Sequence, residues 1–446
     1  MKTPIFDFVK DYIQKETLRF HMPGHKGKGE LSCEAFDITE IKGADSLFEA
    51  EGIIEESEKN ASFLFGTRKT LYSAEGSSLC IRAMLCLAMQ YAEENGLNKS
   101  VLAGRNAHKT FLSAAALLDF EIEWLYSEED YLSLKICPET LEKKLSRVKP
   151  AAVYITCPDY LGNLNDISEI SRLCKKHGTL LLVDNAHGAY LKFLRKSLHP
   201  MDQGADLCCD SAHKTLPVLT GGAYLHIGKN APEFMADNAK NVMSLFASTS
   251  PSYLIMQSLD LANRYISEGF KEKLDAFLIK VELAKQKLLE KGYTLCGDEP
   301  LKLTINAKKY GYFGTELAEI LRENNMECEF SDPDFLVLML TPEQDTELEK
   351  LTDALLLIEK KEEISEKPPV LTKKEQVLSV REAMLDLSEQ ICVKDSVGRI
   401  LASASVGCPP AVPILVSGEK IDQNAVDAFS YYGIDKCFVV KTKESK

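Results

Sequence analysis

The chain has 446 residues, with 53 Lys and Arg against 67 Asp and Glu, for a formal net charge of −14. Nucleic acids and anionic membranes call for basic patches, so this balance argues against both as partners and mildly favours a cationic small molecule. An apolar content of 45% suffices for one large core and at least one smaller one, which predicts two or three domains. Met1 to Lys15 carry mixed charge and no apolar signal core, and no stretch approaches the roughly 18 apolar residues of a membrane span. A soluble, cytoplasmic protein is expected. The 13 cysteines show no metal-ligand spacing. Cys80, Cys86 and Cys174 fall in apolar patterns, and Cys208-Cys209 reads as buried strand, in keeping with a reducing compartment.

Along the chain, His21 and His25 stand four apart, but Pro23-Gly24 between them breaks the helix that would align them as ligands, so His21 to Gly29 is expected to be a shaped loop without metal. From Glu55 to His226 short apolar runs alternate with amphipathic stretches, which argues for a parallel sheet covered by helices. The strands are expected at 70–73, 100–103, 121–126, 151–156, 179–183, 205–209 and 222–227. The helices are expected at 55–65, 77–94, 109–118 and 166–177, the last opened by Asp166 and stopped by Gly178. A long helical stretch from Tyr253 to Lys291 leads out of this region. A smaller α/β unit is expected from Thr294 to Glu359, then a charged linker near 360–369 that ends at Pro368-Pro369. Thr372-Lys-Lys-Glu375 has the spacing of a capping box ahead of a helix. The chain divides on this reading into an N-terminal arm with a major domain, 1–290, and C-terminal domain(s), 291–446.

The chemistry concentrates at two strand ends. Leu180 to Val183 is an apolar run that ends on Asp184, and Ser211-Ala-His-Lys-Thr215 follows the run 205–209. Pyridoxal phosphate (PLP) needs a lysine to hold it as a Schiff base and an acid to keep its ring nitrogen protonated, and Lys214 and Asp184 have that chemistry. Taken singly, a lysine is usually a solvated charge and an Asp after a strand a turn or cap. Together they stand where open parallel sheets bind ligands. Glu75-Gly76-Ser77-Ser78, between a strand and a long helix, could turn backbone N–H groups and hydroxyls toward a phosphate; otherwise it is an ordinary Ser N-cap. His108 opens a helix after another strand and could stack on a flat ring, or simply cap. Neither G-x-G-x-x-G nor G-x-x-x-x-G-K-[ST] occurs, which disfavours a nicotinamide or nucleotide site.

With these residues in place, the chain resembles the Orn/Lys/Arg decarboxylase family, PLP enzymes of aminotransferase-like fold. The resemblance rests on Arg19-Phe-His-Met-Pro-Gly-His-Lys-Gly27, Asp184-Asn-Ala-His-Gly188, Ser211-Ala-His-Lys-Thr-Leu216, and Ser248-Thr-Ser-Pro-Ser-Tyr253 with Ser258-Leu-Asp260. It also rests on Gly398-Arg-Ile400 followed by Pro409-Pro410 and Gly418-Glu419. It implies an α/β chain with a fold type I major domain, a mainly parallel sheet and a smaller C-terminal α/β domain. It further implies that Lys214 forms the Schiff base, that Asp184 pairs with the pyridinium and that Gly76, Ser77, Ser78 and Ser211 hold the phosphate. His108 would stack on the ring, His187 would join the cofactor site, and Thr249 would approach the cofactor of a neighbouring subunit in a homodimer or larger assembly.

The expected activity is decarboxylation of a basic L-amino acid, arginine or lysine ahead of ornithine, to a polyamine-pathway amine and CO₂. His213 or the freed Lys214 would protonate the α-carbon. Glu75, Asn185, Tyr190, Ala411 and Ser417 depart from the family pattern and bear on substrate identity. The carboxylate that would bind the substrate's cationic end is open among Asp45, Glu49, Asp159 and Glu419. The long family members' receiver-like domain is missing, so their ring assemblies are not expected. The competing readings are an aminotransferase on the same scaffold and a non-catalytic PLP-binding paralogue.

Overall fold

The structure is a computed structural model that describes residues 1–127, 135–404 and 412–442. Pro409, Pro410 and Ala411 of the quoted motifs lie outside the described residues. In chain order the first elements are α1 (Pro4–Gln14), α2 (Ile53–Phe65), β1 (Lys69–Ser73), α3 (Gly76–Asn95), β2 (Asn98–Gly104), α4 (Lys109–Leu118) and β3 (Glu121–Leu125). There follow α5 (Pro138–Val148), β4 (Pro150–Thr156), α6 (Ile167–Lys176), β5 (Leu180–Asp184), β6 (Leu207–Asp210), α7 (Ala212–Thr215), β7 (Ala223–Ile227), α8 (Glu233–Ser244) and α9 (Tyr253–Ser267). The chain forms two compact units, Met1–Asn98 with Ala151–Cys157 and Asp166–Asp275, and Lys99–Pro150 with Pro158–Asn165 and Ala276–Lys446.

In the first unit β4, β5 and β6 pair in parallel, with Thr156 opposite Asp184 and Asp184 opposite Cys209. β5 is buried along its whole length, as its unbroken Leu-Leu-Leu-Val run requires of a strand covered on both faces. β7 runs antiparallel to β6 and to β1, Cys208 facing His226 and Thr70 facing His226. The sheet is thus mainly parallel, as expected, with β7 as its antiparallel strand. The 211–222 connection carries a single turn of helix rather than the covering helix that usually returns a chain to a parallel strand. α6 begins as expected: the Asp166 side chain accepts the Glu169 N–H, 3.0 Å away, and Gly178 leaves it at φ +66°.

The second unit holds the parallel pair β2–β3. It continues beyond α10 (Phe270–Lys291) with β8 (Leu295–Cys296), β9 (Lys302–Asn306), α11 (Gly314–Glu323), β10 (Phe330–Ser331), β11 (Phe335–Met339) and α12 (Asp345–Leu357). These four strands form an antiparallel sheet, β10-β11-β9-β8. Last come α13 (Val380–Leu385), β12 (Ser388–Cys392), α14 (Gln423–Tyr431) and β13 (Lys436–Val440), around a separate core that includes Leu401, Ile414, Leu415, Phe429 and Val439. The long helical stretch expected from Tyr253 to Lys291 consists of two helices, with Gly269 at φ +87° parting α9 from α10. Segment 359–369 has no regular structure, yet it is held at Lys361 N–H to Tyr310 O and Ile364 N–H to Lys308 O. The expected capping box at Thr372 opens no helix: Lys374 is drawn to Asp422 at 2.8 Å, and the box that does form is Ser379 with Glu382, at the start of α13.

Candidate active site

β5 delivers Asp184 at its last residue, buried. Its Oδ2 accepts the Tyr154 hydroxyl at 3.0 Å, and its Oδ1 receives the Ala186 N–H at 3.2 Å and the Cys209 thiol at 3.6 Å. Burial and the Asp184 charge push the Tyr154 hydroxyl up, so the phenol keeps its proton and the carboxylate is held as the acceptor. After the next strand, Ser211 stands at the cap position of the single turn α7 without a side-chain capping bond, and that turn carries His213 and Lys214. Lys214 Nζ lies 3.0 Å from His187 Nε2, so two of the quoted motifs meet through their side chains. His213 Nδ1 is 2.9 Å from Gly222 O; a carbonyl only accepts, so Nδ1 bears a proton.

The 75–78 segment is not an ordinary Ser cap. Glu75 holds the cap position without any side-chain capping bond, and the helix already begins at Gly76. The Ser77 hydroxyl is thereby left to take a hydrogen bond from Ser211 Oγ at 2.9 Å. Gly76 adopts φ +70°, and a Cβ placed on it would meet nothing within 4 Å: the chain start of α3 faces open space, with the Gly76 N–H turned back to Gly221 O at 2.7 Å and the Ser77 and Ser211 hydroxyls paired beside it. Glu75 instead reaches the 246–252 loop, accepting Ser248 N–H at 2.6 Å, with Thr249 exposed beside it. The amine, the acid and the hydroxyl-bearing helix start thus belong to one unit, and this donor set suits an aldehyde, a ring nitrogen and a phosphate, the three functional groups of PLP.

His108 stands in the second unit, where its Nδ1 accepts the Thr110 N–H at 3.3 Å and caps α4. Tyr190 is buried in a 3-10 turn, Ala189–Phe193. His21 pairs with the Tyr12 hydroxyl and His25 with Asp37. The four carboxylates left open for a substrate cation separate clearly. Burial pushes the Asp45 carboxyl up, but N–H groups of Glu51, Ser46, Gly52 and Ile54 outweigh it and hold it below its ordinary value. Asp159 is buried and bonded to Asn163, and burial pushes it up. Glu419 is buried against Arg105 at 2.8 Å. Glu49 is exposed. Sequence reasoning names Asn185 only as a departure from the family pattern, and misses Tyr154 and Cys209 as neighbours of Asp184 and the buried Asp210 with His199 and His226.

A sequence model of the family "Orn/Lys/Arg decarboxylase, major domain" matches residues 3–297. The chain is 28% identical to the uncharacterized protein YaaO of Bacillus subtilis, over 96% of this chain and 94% of that protein. It is also 28% identical to the arginine decarboxylase of Halalkalibacterium halodurans, over 95% and 92%. Among solved structures, the constitutive lysine decarboxylase of E. coli superposes with a TM-score of 0.75 at 17% identity, covering 99% of this chain and 82% of that one. The fold is that of the PLP-dependent enzymes of fold type I. The chain belongs to the Orn/Lys/Arg decarboxylase family, and is a PLP-dependent decarboxylase.

Proposed function

We propose that the protein decarboxylates a basic L-amino acid, with arginine or lysine ahead of ornithine, to the corresponding amine of polyamine metabolism and CO₂. The observation that carries this reading is the meeting of Lys214 with His187 at 3.0 Å, on a turn beside the strand that ends on Asp184, in a chain of this family. When bound, PLP supplies an electron sink for the pair left on the α-carbon by departing CO₂. Lys214 is the amine that would hold the cofactor covalently. Asp184, fixed by Tyr154, keeps the proton on the ring nitrogen. Gly76, Ser77, Ser78 and Ser211 hold the phosphate. His187 orients the Lys214 amine, and Lys214, or His213 after its Nε2 takes a proton from solvent, returns a proton to the α-carbon. The stacking role of His108 is supported by the family resemblance alone.

For the cationic end of the substrate, Glu49 is the candidate, since Asp45, Asp159 and Glu419 are bonded within the protein. The end of the family match at 297 supports a major domain of 1–290, with 291–446 as the C-terminal part. A homodimer with Thr249 near the partner's site is supported by the exposure of Ser248 to Ser250. No helix among the described residues is long and apolar enough to cross a membrane. The described cysteines form no disulfide, in keeping with a reducing, cytoplasmic location.

Product analysis tests the reading. Purified protein with PLP and each basic amino acid is expected to give agmatine or cadaverine with CO₂. A keto acid formed only when an amino acceptor is added would move it to the aminotransferases, and no turnover of any basic amino acid would leave a non-catalytic PLP binder.

A further inference from the structure

We propose that Asp210 is a positioning residue that locks the segment bearing Asp184 and His187 to the turn bearing Lys214, acting through Asn185; this rests on the reading of Lys214 and Asp184 as the amine and acid of the cofactor site. Asp210 is the last residue of β6 and lies immediately before Ser211 to Lys214. Asn185 follows Asp184 at the end of β5. Its Nδ2 donates to Asp210 Oδ1 at 2.7 Å, and its backbone N–H reaches Cys209 O at 2.9 Å. Gly188 N–H closes the next turn onto Asn185 O at 2.8 Å, and that turn carries His187. The two segments are therefore joined at their base by Asn185 and Asp210, and at their tip by His187 and Lys214.

The other oxygen of Asp210 explains why the joint is rigid. Oδ2 lies 3.0 Å from His199 Nε2 and 3.0 Å from His226 Nε2, and all four side chains are fully buried. A carboxylate so far from water persists only when donors fill its lone pairs, and here two imidazoles and an amide do so. Burial opposes its charge, yet the imidazoles of His199 and His226 hold the Asp210 carboxyl well below its ordinary range. Burial pushes His226 down, which favours a neutral ring that donates from Nε2. The Asn185 amide occupies the space a side chain at 188 would need: a Cβ on Gly188 would fall 2.0 Å from Asn185 Oδ1, so glycine there makes room for the amide.

His199, Cys208 and Asp210 also stand close enough to one another to hold a metal ion, but the hydrogen-bond directions favour protons. His199 Nδ1 accepts the Met201 N–H at 3.3 Å, so in the neutral ring the proton is on Nε2, the atom a metal would need. Burial and then the Asp210 charge push the Cys208 thiol up, away from the thiolate that binds metals.

The test compares wild type, Asn185→Ala, Asp210→Asn and the double variant as holoenzymes. It measures PLP affinity, the visible absorbance of the bound cofactor and its pH midpoint, kcat and KM, with far-UV circular dichroism as the fold control. Each single change is expected to lower PLP affinity and kcat by roughly 10- to 100-fold, as for a displaced reacting group, with KM little altered and the absorbance midpoint moved. The double variant is expected to be no worse than Asp210→Asn, because both changes act on the Asn185–Asp210 bond and only Asp210→Asn also disturbs the two histidines. Native PLP affinity and absorbance in Asn185→Ala, or losses that multiply in the double variant, would overturn the proposal. So would stoichiometric zinc in wild type that is lost in Asp210→Asn. Should Asp210→Asn fail to fold, Asn185→Ala decides, since it leaves Asp210 with both histidines. Failure of the underlying cofactor reading looks different: wild type itself would then show no cofactor absorbance.

Discussion

Lys214 and Asp184 are chemically unremarkable residue types, and what marks them in the sequence is placement: each closes or follows an apolar run that must be a buried strand. That much is legible from spacing. The environment of Asp184 is not, because Tyr154 and Cys209 meet it only through the register of β4, β5 and β6, and register depends on pairing between segments far apart in the chain. The same holds for Glu419, whose partner Arg105 is 314 residues away. Two predictions belong at this scale. Borohydride reduction should fix the cofactor on Lys214, and Lys214→Ala should abolish the visible absorbance, since only an amine makes the link; mass spectrometry that finds the adduct on another lysine would refute the assignment. Asp184→Asn should fold and bind PLP yet lose about 3 kcal/mol or more of transition-state stabilisation, as when a preorganised charge is removed from a reacting centre. Near-normal turnover in that variant would reduce Asp184 to a structural residue.

Helices and strands followed their sequence signals wherever the signal was a continuous run or a real cap, as at Asp166 and Gly178, and departed where a local pattern was outbid by a tertiary contact. Thr372 to Glu375 has the right spacing for a capping box, but Lys374 is drawn to Asp422 and Asn424. The helix start at α1 shows the converse. Thr3 makes no side-chain cap, and the orphan N–H groups of Ile5 and Phe6 are met instead by Asp260 of α9, at 2.9 and 3.0 Å. No local pattern in residues 1–14 could have revealed a cap from so distant an element. Burial pushes Asp260 up to about 6, against the Ser57 hydroxyl and the two N–H groups that favour its charge. A carboxyl raised above its unfolded value contributes its full stability below that value and loses it as pH rises through about 6. Asp260→Asn removes this titration. The stability advantage of wild type over Asp260→Asn should therefore shrink by about 2 kcal/mol between pH 4.5 and pH 7.5, at about 1.36 kcal/mol per unit. Denaturant unfolding of both proteins at the two pH values checks it, and an advantage that stays flat or grows would show that Asp260 does not titrate in this window.

At the scale of the whole chain, the segment between α1 and α2 is the least self-sufficient part. It exposes Leu18, Met22 and Leu31, and Phe20 is 91% exposed. Single exposed apolar side chains are ordinary, but four large ones within fifteen residues of the same arm mark a surface that gains from being covered. Leu245 is likewise exposed, just before the Ser248 to Ser250 loop. A homodimer closed by a two-fold axis would bury such an arm twice with one set of contacts, and it would suit a loop that serves the partner's site. Light scattering is expected to give a dimer or a larger closed assembly. The double change Leu18→Asp with Phe20→Asp should move it toward monomer while the circular dichroism of the fold is retained, because a charge placed in an apolar interface must be desolvated without a partner. Activity should fall with dissociation and recover as protein concentration is raised, if the site needs both subunits. A wild type that is monomeric and fully active at assay concentration would show that the arm is covered by something other than a second copy.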